Sequence, residues 1–151
     1  MKTTILQFLF IFITTLSFAQ SKVMKSLAEE YPDAKAFVMY HSSFTMLNQS
    51  DDPDIAALAA TIEKIKVLTF DSFSSSAKTS LISELESNAF EMLMSIKRDG
   101  SDVLAYILED DDEIEGYFVL VEMEGQTLAI DVLGSPDPTQ IGKIIDTVKN
   151  Y

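Results

Sequence analysis

The sequence predicts a single α+β domain: one mixed sheet ending in an antiparallel meander, with three to four helices packed on it. Three observations predict it. Helical stripes and strand-like runs alternate through the first half of the chain. Strand-like runs separated by short polar turns fill much of the second half. A last amphipathic stretch follows a strong helix-start signal near residue 137.

Each element carries its own signal. Val23, Met24, Leu27, Ala28 and Tyr31 fall on one helical stripe, which Pro32 ends. Lys35 to His41 (KAFVMYH) is rich in Phe, Val and Tyr and reads as a strand. Ser42 to Gln49 suits a short helix. Asp52 and Pro53 cap and start a further helix, with Ile55, Leu58, Ala59 and Ile62 on its inner side. Ile65 to Phe70 (IKVLTF) is a second strand. Ser74 to Ser76 caps a helix whose apolar face is Leu81, Ile82, Leu85 and Ala89.

Met92 to Arg98, Val103 to Leu108, Gly116 to Met123 and Thr127 to Leu133 then read as strands, and the last three form the meander. Gly125-Gln126 signals a tight turn and Gly134 closes the last strand. Asp137-Pro138-Thr139-Gln140 offers Asp as cap, Pro at the first helical position and Gln three residues after the cap. Ile141, Ile144, Ile145 and Val148 then share one helical face.

The first residues bound the compartment. Lys2 is a short positive region, Ile5 to Leu16 (ILQFLFIFITTL) is almost wholly apolar, and Ser17 and Ala19 are small. That pattern is a signal peptide over 1–19, cut after Ala19 to leave Gln20 first. The apolar run is shorter than the roughly 18 to 20 residues that span a bilayer. The remaining 132 residues, 20–151, suffice for one domain with a core. The chain has no Cys, so neither a disulfide nor an N-terminal lipid-bearing Cys is available. The expected location is therefore the periplasm or the exterior, in soluble form. After cleavage, ten basic residues face 24 acidic ones, a net charge of −14. A chain this acidic repels phosphate backbones and anionic lipid, which argues against nucleic-acid and membrane-surface partners.

Two strands bear on protein partners. In GYFVLVEM, Tyr117, Val119 and Val121 point one way while Phe118 and Leu120 point the other; VLAYIL behaves alike. Strands apolar on both faces need cover on both. Three or four short helices leave one face in question. Tyr117, Val119 and Val121 are thus the candidate partner-facing residues, with a homodimer or another protein as cover.

The segments IEKIKVLTFDS, FEMLMSIKRDGSDVLAYI and FVLVEMEGQTLAIDVLGSPDPTQIGKI, in that order, resemble the domain of unknown function 4252 family, small exported proteins of Bacteroidetes. The resemblance runs from about Lys35 to Ile145. It includes the Lys-x-Asp-Gly turn Lys97-Arg98-Asp99-Gly100 before the meander. It implies no activity at any residue. Many such proteins look like lipoproteins, a pattern from which this Cys-free chain departs. Some are encoded near extracytoplasmic sigma factors, which implies envelope signalling.

Little else in the chain looks like chemistry. Glu109 to Glu113 is an unbroken acidic run, with Glu115 beyond. Counted from Asp111, an EF-hand register would use Asp111, Glu113, Glu115, Gly116 and Glu122. Glu at the third and fifth positions crowds such a loop, and the flanks are strands rather than helices. A solvated hairpin loop from Leu108 to Tyr117, with weak divalent cation binding at most, is the expectation. His41 is the single histidine, and is expected at the sheet rim bonded to backbone or water. Ser75-Ser76-Ala77-Lys78 has Ser-x-x-Lys spacing but lacks the companion motifs of penicillin-recognising enzymes, so a Ser cap before an exposed Lys is expected. No catalytic, metal-binding or cofactor-binding set emerges, and no cofactor is expected. Two functions follow: an exported non-catalytic binding or interaction module, or a small exported hydrolase or ligand-binding enzyme using scattered carboxylates.

Overall fold

The computed structural model describes residues 21–47 and 53–149. The expected signal peptide, Gln20, the Asp52 cap and the end of the Ser42 to Gln49 segment lie outside those residues. The elements run α1 (Lys22–Glu30), β1 (Lys35–Tyr40), α2 (His41–Leu47), α3 (Pro53–Thr61), β2 (Ile62–Phe70), α4 (Ser75–Ser87), β3 (Phe90–Arg98), β4 (Ser101–Asp110), β5 (Glu113–Met123), β6 (Gln126–Gly134), a 3-10 turn (Pro138–Gln140) and α5 (Ile141–Lys149).

The six strands form one sheet in the order β1-β2-β6-β5-β4-β3, and every neighbouring pair is antiparallel. The α+β class and the C-terminal meander stand as expected, and the meander includes β3. The mixed sheet does not. The α2–α3 excursion leaves and re-enters the sheet at one end, so β1 and β2 are antiparallel neighbours. α4 carries the chain from β2 to the far edge, and the meander β3 to β6 steps back until β6 docks on β2. Among the described residues five α-helices, rather than three or four, cover the sheet.

The signals at Ser74 and Asp137 act as read, and Ser21 adds a cap that the sequence does not single out. Ser21 Oγ accepts from Met24 N–H at 3.2 Å and caps α1; Ser74 Oγ accepts from Ala77 N–H at 3.1 Å and caps α4. At residue 137, Asp137 Oδ1 accepts from Thr139 N–H at 2.9 Å, and Gln140 Oε1 accepts from Asp137 N–H at 3.2 Å. Those bonds hold a 3-10 turn, from which α5 continues.

The sheet has a core on each side. On one side Tyr117, Val119 and Val121 pack with Phe44, Leu58, Ala59, Ile141, Ile144 and Ile145, supplied by α2, α3 and α5. On the other, Phe118 and Leu120 pack with Val23, Met24 and Leu27 of α1 and Leu81 and Leu85 of α4. Tyr117, Val119 and Val121 are each 0% exposed within the single chain. They face the chain's own helices, so the exposed surface open to a partner lies elsewhere. Periodicity shows that a helix has an apolar stripe; it does not show which sheet face receives it, and here the helices divide between the two.

Candidate functional site

The acidic run resolves into a tight hairpin. β4 ends at Asp110 and β5 starts at Glu113, paired across a two-residue turn of Asp111 and Asp112. Both have positive φ, 48° and 64°, as a type I′ turn requires. Beyond it Gly116 to Glu122 stays in register with β4 and β6. The expected hairpin is thus present, with strands reaching further into the run than Leu108 and Tyr117, and an EF-hand register does not fit: its ligands would have to leave a ladder hydrogen-bonded on both sides. Asp99-Gly100, with φ of 50° and 78°, makes the same kind of turn between β3 and β4.

Among the described residues no group of three or more His, Asp or Glu side chains converges as a metal site would need. His41 opens α2 at the sheet rim, where its Nδ1 donates to Ile62 O at 3.2 Å. It lines a cleft of about 550 Å³ at one end of the sheet, together with Ser21, Thr61, Phe90, Leu108 and Asp131. Backbones close the cleft tightly. A Cβ on Gly134 would fall 2.3 Å from Thr61 O, and one on Gly116 2.5 Å from Val132 O. Asp131 is its buried carboxylate; Glu63 and Glu115, which also line it, are exposed. Burial raises the Asp131 pKa, opposed by the Ser21 bond and by the charges of Lys64 and Lys66. Ser21 N–H donates to its Oδ2 at 3.1 Å, tying the start of α1 to β6.

Lys78 is not exposed as expected. Its side chain, 21% exposed, leaves the Ser-x-x-Lys helix and sets its ammonium 2.8 Å from Asp102 Oδ2 and against Glu122 Oε2, while Lys97 stands 3.5 Å from Asp102. Burial works against the charged lysine, but its hydrogen bonds to Asp102 and Glu122, with their charges, outweigh it and raise its pKa. The Lys78 bond holds the Asp102 pKa down, against the effect of burial. This cluster bolts α4 to β4 and β5.

A second unforeseen group lies on the same face of the sheet, towards its β1 edge. Tyr40 is opposite Lys64, Val38 opposite Lys66, and Lys66 opposite Asp131. Ala36 is opposite Leu68, which packs under α1 and α4, so Val38 and Tyr40 share that face. Tyr40 is 56% and Val38 38% exposed. The Lys64 ammonium reaches over the Tyr40 ring, 5.6 Å from its centroid. Burial, and then the charge of Lys64, lower the Lys66 pKa, with Asp131 pulling the other way. The Lys-x-Lys alternation of IEKIKVLTF and the lone Asp of LAIDVLG were legible signals for these residues.

The sequence model of one family, described as a domain of unknown function (DUF4252), matches residues 29–144. No curated protein matches the chain.

Proposed function

This chain belongs to the DUF4252 family, and from that premise we propose that it is an exported, non-catalytic binding module that takes a polypeptide partner along the outer edge of β1. One observation carries the reading. The interior strands are buried on both faces, whereas Phe37, Val38 and Tyr40 of β1 are large apolar residues left 38 to 56% exposed. β1 pairs with β2 without a register shift, and among the described residues pairs with no other strand. A regular, apolar edge whose one charge, Lys35, stands at its very start beside Asp71 is a template for strand addition. The other edge, β3, also exposes Met92, Leu93 and Ile96, but a bulge between Met92 and Met94 and the charges of Glu91 and Lys97 interrupt it.

Export rests on the leader features of 1–19. Mass spectrometry of the exported protein should find Gln20 at the N-terminus, and intact Met1 in the membrane fraction would overturn it. An envelope-signalling setting belongs to the same proposal. Among the described residues no helix is long and apolar enough to cross a membrane.

Site-specific photocrosslinking in the exporting cell tests the binding edge. A benzophenone side chain at Tyr40 should give discrete protein adducts that the same group at exposed Glu86 on α4 does not. Identical adduct patterns from both positions would sink the reading. The cleft around Asp131 favours the alternative of a small ligand-binding enzyme, but that carboxylate is already bonded to Ser21 N–H and serves the packing of α1.

A further inference from the structure

We infer that Lys64 and Lys66, with Val38 and Tyr40, form a docking site for an extended acidic polypeptide segment that adds to the outer edge of β1. The inference rests on the reading of β1 as the binding edge and names the chemistry of what binds there.

The argument starts from charge. The described chain is strongly acidic, yet among the described residues neither Lys64 nor Lys66 has an ion-pair partner. They stand two residues apart on one face of β2, so their charges repel. The nearest carboxylate across the strands is Asp131, which is buried and bonded to Ser21 N–H. Two half-buried like charges beside exposed apolar side chains are poorly satisfied in the free chain. A carboxylate brought in from outside corrects both defects. It supplies the counter-charge, and the segment carrying it covers Val38 and Tyr40.

Geometry fixes the form of the partner. An added strand would lie about 4.8 Å beyond β1, with every second side chain on the lysine face. The Lys64 ammonium already lies over Tyr40, so it extends from β2 towards that edge. A side chain opposite Tyr40 on the added strand would sit about 5 Å away, Cβ to Cβ, within reach of that ammonium. Residues opposite Tyr40 and Val38 are two apart on the incoming strand, as Lys64 and Lys66 are on β2. The fitting segment is therefore extended and acidic at alternate positions, with apolar residues between. Its backbone would pair with β1 while its carboxylates meet the lysines.

The test uses the mature chain, 20–151, and two short synthetic peptides, one alternating Glu with Val and one alternating Lys with Val. Amide shifts are followed by two-dimensional NMR and affinity by fluorescence anisotropy. The Glu peptide should shift the amides of residues 36–40 and bind more tightly than the Lys peptide. Lys64→Gln with Lys66→Gln should weaken it roughly tenfold, the sum of two partly exposed ion pairs. Both lysines are partly exposed, so the variant should keep the wild-type circular dichroism. If both peptides shift 36–40 equally and the lysine variant binds as wild type, the acidic specificity is wrong while the binding edge stands. If neither peptide perturbs 36–40, or the Glu peptide binds elsewhere, the inference fails; silence from both removes the edge reading as well.

Discussion

Lys78 Nζ donates to Asp102 Oδ2 at 2.8 Å, joining α4 to β4 beneath the helix. Lys78→Met should leave the Asp102 and Glu122 carboxylates adjacent and partly buried, with only the exposed Lys97 beside Asp102 as counter-charge. The expected loss is about 2 kcal/mol by chemical denaturation, below that of a fully buried pair because these groups remain partly wet. The Asp102 pKa is lowered, so its contribution is present above the ordinary value of 3.8 and is lost as pH falls through the depressed one. The Lys78 pKa is raised, so its contribution holds below 10.5 and is lost as pH climbs through the elevated value. The difference between wild type and variant should therefore be a plateau across neutral pH that shrinks at both extremes. A difference that grew on acidification would contradict the pairing.

Asp131 behaves in the opposite sense. Its folded-state pKa is raised, so ionising it costs more in the folded chain than in the unfolded one. That cost is absent below 3.8, grows as pH rises to the elevated value and stays constant above it. Asp131→Asn keeps an acceptor for Ser21 N–H and removes the cost. Its melting temperature should match wild type in acid and exceed it near neutral pH. A variant less stable than wild type at pH 7 would show that attraction to Lys64 and Lys66 dominates instead.

Among the described residues the Tyr106 hydroxyl has no hydrogen-bond partner, and burial raises its pKa. Tyr106→Phe deletes an unsatisfied polar atom and keeps the ring under α4. Stability should rise by about 1 kcal/mol in urea denaturation. A loss of similar size would reveal a bound water that satisfies the hydroxyl.

Val119 is 0% and Leu120 1% exposed, on opposite faces of β5. Val119→Asp and Leu120→Asp should each cost on the order of 5 kcal/mol, comparable with the whole stability of a domain, and abolish cooperative melting. A folded, monomeric product from either variant in light scattering would mean that its face is covered by a partner rather than by this chain.

The Asp111-Asp112 turn places two carboxylates and two positive φ angles in one short loop. Asp111→Asn with Asp112→Gly supplies the residues that a type I′ turn favours and removes two like charges. A gain of about 1 kcal/mol is expected. Millimolar calcium should shift the wild-type melting temperature only as screening would. A tight calcium site lost on removing Glu122 would contradict the hairpin.

The sequence by itself determined the α+β class, the helix caps at Ser74 and Asp137, the tight turn at Asp99-Gly100 and the hairpin nature of the acidic run. Those features are local: a cap or a turn is decided by bonds a few residues long, and a strand by the alternation of its own side chains. Only the tertiary structure decided which face of the sheet each helix covers, that every strand pair is antiparallel, and that Tyr117, Val119 and Val121 lie inside the chain. It alone brought Lys78 to Asp102 and Glu122, 24 and 44 residues away, and Ser21 to Asp131, 110 residues away. A side chain's periodicity records that it must be buried or paired. It carries no record of the partner, because burial energy is non-directional and ion pairs form between whatever charges the packed elements bring together.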